Sequence, residues 1–184
     1  MTPFTLHLMR HGEPELTGRL LGRTDSPATP AGIAACRSQA ADLAVERIIA
    51  SNLRRTRACA AAIGATRIDA RWRELDFGAW DGLAAAAVDQ AALAQFWTDP
   101  DVYPPPGGER WSALVARVAD AIAALPPVPT LIVTHGGAMR AALSILCGFD
   151  LARTWAFDLP YAALLTLKVW PTEPRSAQIV GLRP

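Results

Sequence analysis

The chain has 184 residues, 51% of them hydrophobic, and a formal net charge of +1 at pH 7. That length predicts a single domain over 1–184 with a sizeable core, and the near-zero charge excludes a surface built to hold nucleic acid or an anionic membrane. Cys36, Cys59 and Cys147 are scattered, with no C-x-x-C pair, which excludes a disulfide framework and a cysteine zinc site. With no basic leader and no apolar run approaching about 18 residues, the expectation is a soluble, cytoplasmic protein.

Short apolar runs alternate with longer helical patterns, the arrangement of an α/β sheet. The first strand is expected over Phe4–Met9 and ends at Arg10-His11-Gly12-Glu13. In open α/β sheets ligands bind at the carboxyl ends of strands. An arginine fork suits phosphate oxygens, and a neutral imidazole beside it can attack phosphorus. Taken alone, the pair also fits a surface arginine beside a loop histidine.

Thr29-Pro30 reads as an N-cap followed by a first-turn proline, opening a helix through about Val45. A strand over Arg47–Ala50 follows, and Ser51 then caps a helix ending at Gly64. Arg55 would lie in the first turn of that helix, where backbone N–H groups and the dipole favour an anion. The plainer alternative is that Arg54 and Arg55 form a solvated face.

After a weaker strand over Thr66–Asp69 comes Arg73-Glu74-Leu75-Asp76-Phe77-Gly78, where aromatic neighbours could tune a carboxyl group for proton transfer. Glu74 or Asp76 could equally pair with Arg71 or Arg73. From Trp80 to Trp111 the pattern is irregular and rich in Pro and Gly, so a turn-rich excursion over the sheet is expected. Leu114, Val118, Ile122 and Leu125 recur at helical spacing until Pro126-Pro127. A buried strand over Thr130–Thr134 then leads into His135-Gly136-Gly137 and a helix to about Cys147. His135 would thus stand at another strand end, able as imidazolium to stabilise a transferring phosphoryl group, or simply packed. Strands over Ala162–Trp170 and, more weakly, Ala177–Gly181 close the chain.

Together these segments resemble the histidine phosphatase superfamily, also called phosphoglycerate mutase-like. Arg10-His11-Gly12-Glu13 matches its opening signature, and Ser51-x-Leu53-x-Arg55 its second element, which singles out Arg55 over Arg54. Glu74 falls on its acid/base position, and His135 in Thr-His-Gly-Gly on its second histidine. The resemblance implies a three-layer α/β/α sandwich with a mostly parallel sheet. It makes His11 the nucleophile, Arg10, Arg55 and His135 the phosphate pocket, and Glu74 proton donor and then base, with no metal or other cofactor. A metal site made of His7, His11 and His135 is a poor competitor, because no motif supplies accompanying carboxylates or thiolates. Two departures stand out: Pro14 replaces a Thr common in the family, and an Asn that usually follows is missing. Arg19 and Arg23 are candidate secondary contacts, with a solvated role favoured.

Trp80, Phe96, Trp97, Tyr103 and Trp111 cluster around the irregular excursion, and any that line the pocket would favour a flat or apolar leaving group. The segments Phe96-Trp97-x-Asp99-Pro100 and Pro106-Gly107-Gly108-Glu109-Arg110-Trp111 resemble the α-ribazole phosphatase branch. That resemblance implies removal of the 5′-phosphate of α-ribazole phosphate in cobalamin biosynthesis. The partner would be a small-molecule phosphate ester, with neither nucleic acid nor membrane; the oligomeric state and any lid role for 84–111 stay open. Alternatives are a broad sugar or nucleotide phosphatase, a phosphoglycerate mutase, or a non-catalytic phosphate-binding regulatory module. The mutase is disfavoured by the lack of an obvious extra basic cluster.

Overall fold

The computed structural model describes residues 2–184. Its centre is a six-stranded sheet: β1 (Phe4–Arg10), β2 (Arg47–Ala50), β3 (Thr66–Ile68), β4 (Thr130–Thr134), β5 (Leu164–Trp170) and β6 (Ser176–Arg183), in the order β3-β2-β4-β1-β5-β6. The pairs β3/β2, β2/β4 and β4/β1 are parallel, while β5 and β6 add antiparallel at one side. The sheet is mostly parallel, as expected.

Side-chain alternation along the strands makes two buried faces. Leu6, Leu8, Ile132, Leu165 and Leu167 join a core with α3 (Gln90–Thr98), α4 (Trp111–Ala123) and α5 (Gly136–Cys147). Met9, Ala50, Leu131, Val133 and Leu164 join a second with α1 (Pro30–Gln39) and α2 (Arg54–Ala61). Helices on both faces of one sheet make the three-layer α/β/α sandwich. A short α6 (Leu151–Thr154) follows α5.

Several boundaries differ from expectation. Thr29 caps α1 through its hydroxyl as read, but the helix stops at Gln39 rather than near Val45. There Arg183 of β6 takes the Gln39 carbonyl at 2.9 Å and the Asp42 carboxylate at 3.0 Å, and the chain turns toward β2. Ser51 does not cap α2. Leu53 is the cap residue, and Asp25 from a distant loop accepts the Arg54 N–H at 2.6 Å. α2 also ends at Ala61, short of Gly64. β5 begins at Leu164, because Ala162 turns the chain with φ of 65°. The excursion between Trp80 and Trp111 holds a true helix, α3, whose start is fixed by the Asp89 carboxylate accepting the Ala92 N–H at 2.8 Å.

Candidate active site

Three neighbouring parallel strands end together. His11 directly follows β1, His135 directly follows β4, and Ser51 directly follows β2. The register continues past the strands: the His11 N–H donates to Thr134 O at 2.9 Å, and the Ser51 N–H to Val133 O at 3.3 Å. Backbone pairing therefore brings the two imidazoles to 5.1 Å between ring centroids, although 124 positions separate them (135 − 11).

His11 is almost fully buried, and its Nδ1 lies 2.8 Å from its neighbour's carbonyl, Gly12 O. A carbonyl only accepts, so Nδ1 carries the proton and Nε2 presents its lone pair. The Arg55 Nε–H donates to that same Nε2 at 3.3 Å. Burial, then the charge of Arg55, with a smaller contribution from Arg10, lowers the His11 pKa to about 3, against the opposing effect of the Gly12 contact. The imidazole is therefore neutral and able to attack across the physiological range.

Arg55 is wholly buried on α2 and, among the described residues, hydrogen-bonds no carboxylate. Its Nη1 donates to Thr24 O at 3.0 Å and its Nη2 to Leu21 O at 2.7 Å. Arg10 donates from Nη1 to Leu159 O at 2.7 Å, and its guanidinium lies 4.3 Å from the Tyr161 ring centroid. Its Nε is buried without a partner, as is the Nδ1 of His135. The unmet Nε–H of Arg10 beside a buried cation describes a site that an anion would complete. The other nitrogen of His135, Nε2, is 2.8 Å from Ser51 Oγ, which is 2.7 Å from Thr56 Oγ1. Burial, with Arg55, His11 and Arg10 close by, holds the His135 pKa well below its ordinary value. Burial first, and then the charges of Arg55 and Arg10, thus leave His135 neutral rather than the imidazolium expected. A dianion reverses the sign of that field.

Glu74 closes the opposite side. Its Oε1 accepts from Leu75 N at 2.9 Å and its Oε2 from Gly137 N, in the first turn of α5, at 3.1 Å. A β-carbon at Gly137 would collide with Oε1, so glycine is what lets the carboxylate approach the helix end. Among the described residues, neither Glu74 nor Asp76 pairs with Arg71 or Arg73: Arg71 pairs with Asp69 at 2.7 Å, and Asp76 with Arg23 at 2.6 Å.

Arg10, His11 and Glu74 line one cavity of about 250 Å³. Its outer wall is largely apolar: Leu20, Phe77, Phe96, Trp97, Trp111 and Trp155. Of the aromatic residues read as pocket candidates, Phe96, Trp97 and Trp111 take part. Trp80 is buried in the core instead, and Tyr103 lies exposed outside the cavity. Arg19 also lines the cavity while donating to Gly82 O at 2.8 Å, whereas Arg23 turns to Asp76. The sequence reading missed Tyr161, Trp155 and Arg140. Arg140 stacks 3.9 Å from the Trp155 ring centroid and donates from Nη1 to Thr154 O. Its position had a signal: it lies four residues after Gly136, on the same helical face. Among the described residues, no three His, Cys, Asp or Glu side chains assemble a metal-ligating cluster, and His7 sits apart with Nδ1 3.0 Å from Thr166 Oγ1.

A sequence model of the histidine phosphatase superfamily (branch 1) matches residues 6–180. A glucosyl-3-phosphoglycerate phosphatase of Mycolicibacterium vanbaalenii is 31% identical over 166 residues, covering 78% of this chain and 74% of that one. A solved structure from Thermus thermophilus superposes with a TM-score of 0.78 at 32% identity, covering 98% and 99% of the two chains. An Escherichia coli structure with a proposed α-ribazole-5′-P phosphatase activity gives a TM-score of 0.84 at 21% identity, over 98% and 96% of the chains, a likeness of fold.

Proposed function

The chain belongs to the histidine phosphatase superfamily and is a phosphatase of that family; from this we propose that it hydrolyses a small phosphate monoester through a phosphohistidine on His11, all of 1–184 acting as one catalytic domain. The observation that carries this reading is the neutral His11, its Nε2 lone pair held ready by the Gly12 contact and facing the buried Arg55. Arg10, Arg55 and His135 take the phosphoryl oxygens. The Nε2 lone pair forms the P–N bond as the P–O bond to the alcohol breaks, and Glu74 gives the departing oxygen its proton. Glu74, now a carboxylate, takes a proton from water, which attacks phosphorus and breaks the P–N bond. His11 returns neutral, and phosphate leaves.

For the alcohol half, the aromatic outer wall favours a flat or apolar group, and α-ribazole 5′-phosphate in cobalamin biosynthesis is the substrate that fits this preference. A second reading has its own observation. Among the described residues Arg140 makes no hydrogen bond from Nε or Nη2, and it lines the cavity. It could receive a carboxylate on the alcohol half, as in the phosphoglycerate ester that the Mycolicibacterium relative is named for. The protein is proposed to act in the cytoplasm on a free small molecule, without nucleic acid or membrane.

A phosphate-release screen decides among these, comparing kcat/KM for α-ribazole phosphate, glucosyl-3-phosphoglycerate, 3-phosphoglycerate, a nucleotide and a sugar phosphate. The expected result is a preference of at least about tenfold for α-ribazole phosphate. The same preference for glucosyl-3-phosphoglycerate would establish the second reading. Rapid 2-/3-phosphoglycerate interconversion without phosphate release would replace hydrolysis by mutase action.

A further inference from the structure

Among the described residues, the carbonyls of residues 71–74, in the segment that carries Glu74, have no backbone partner, and the segment runs half-buried beside the fully buried Trp72. Buried carbonyls must be met by some donor. One side chain meets three of them. Arg117, on α4, donates from Nη1 to Arg71 O at 2.7 Å and Arg73 O at 2.8 Å, and from Nη2 to Glu74 O at 2.9 Å. The fourth carbonyl of the run, Trp72 O, accepts from Thr134 Oγ1 at 2.7 Å.

Arg117 is itself fixed. Glu109 receives its Nε and Nη2 as a fork at 2.7 and 2.8 Å, and both side chains of this pair are more than four-fifths buried. Bidentate Arg–carboxylate pairs add geometric definition to their charge. Glu109 is tied to the same segment, donating its N–H to Asp76 O at 2.9 Å and accepting the Asp76 N–H at 3.3 Å. Every hydrogen-bonding nitrogen of Arg117 is thus spent on the Glu74 segment or on the residue that holds it there.

We propose that Arg117, braced by Glu109, is a positioning residue that sets the acid/base carboxylate of Glu74 against the leaving group. It touches no substrate; it acts through the backbone of residues 71–74. The inference rests on Glu74 serving as the general acid, as proposed above.

That role has a signature that loss of stability lacks. For a ping-pong phosphatase kcat/KM reports the steps through transfer to His11, so it isolates Glu74 as acid. Glycerol 2-phosphate releases an alkoxide that needs a proton, whereas p-nitrophenyl phosphate releases a phenolate that does not. Glu74→Gln should lower kcat/KM for glycerol 2-phosphate by about 10²- to 10⁴-fold and for p-nitrophenyl phosphate by less than about tenfold. Arg117→Met should show the same split, with roughly a 10²-fold loss on the alkyl ester, the cost of a misplacement near 1 Å. Arg117→Lys, which restores charge and only part of the fork, should fall between Arg117→Met and wild type. Inhibition by vanadate, which needs the phosphate pocket but not Glu74, should stay within about threefold of wild type. If Arg117→Met does not fold, Glu109→Gln tests the same brace and should give a smaller split in the same direction.

Equal losses on both esters in the Arg117 or Glu109 variants, with the split retained in Glu74→Gln, would overturn the positioning role alone. No split in Glu74→Gln would overturn the general-acid assignment, and this inference with it.

Discussion

His11 shows how one residue can be prepared for its chemistry by geometry and field together. The Gly12 carbonyl selects the tautomer, and burial with two arginines keeps the ring uncharged, lowering its pKa to about 3. Two consequences are measurable. The His11 ring resonances should stay those of a neutral imidazole from pH 8 to pH 5 in the ligand-free protein, while an unperturbed histidine titrates near 6.5. Stability should respond as well. The unfolded chain binds a proton at His11 near pH 6.5 and the folded protein only near pH 3, so between these values the unfolded state carries more protons. The stabilisation from keeping His11 neutral is therefore whole above pH 6.5 and is lost as pH falls toward 3, at about 1.4 kcal/mol per pH unit. Urea unfolding of wild type and His11→Ala checks this: the acid slope should be shallower in the variant, and equal slopes would contradict the account.

At the scale of elements, the site is a meeting of strand ends with a helix start. β1 and β4 each deliver a histidine in adjacent register, and the first turn of α5 receives Glu74 at Gly137. A methyl at Gly137 has no room beside Oε1, so Gly137→Ala should push Glu74 out of place. Expected is a fall in kcat of about 10²-fold on alkyl phosphates with vanadate inhibition retained, read by steady-state assay. Full activity in Gly137→Ala would show that the carboxylate's approach to α5 is not needed. These same elements were largely legible in the sequence. Each apolar run with β-branched residues became a strand, and the residues after Met9 and Thr134 fell where strand-end chemistry was expected. Two of the boundaries that differed were set by distant groups: Arg183 ending α1, and Asp25 rather than Ser51 satisfying the start of α2. Local propensity carries no sign of a partner so far along the chain.

The same distinction holds for the whole molecule. Arg10, His11, Arg55, Glu74 and His135, drawn from far apart along the chain, stand close together. The motifs did not disclose Ser51 at His135, Arg117 behind Glu74, or Arg140 against Trp155, since each of these contacts exists only after the layers pack. The outer wall shows the same limit. Composition marked the aromatic cluster, but only packing separates Trp97 and Trp111 in the cavity from Trp80 in the core. Two cores on opposite faces of one sheet back the strand ends, and the wall formed by α3, α6 and the segment after it is where substrate preference would reside.

The central claim is that phosphate passes through His11, and rapid-quench peptide mass spectrometry during turnover of p-nitrophenyl phosphate tests it most directly. The account predicts one acid-labile phosphoryl group on the His11 peptide within the first turnover, and neither adduct nor phosphate release in a folded His11→Ala variant. Turnover that persists in His11→Ala, or a phosphoryl group found on another residue, would contradict it.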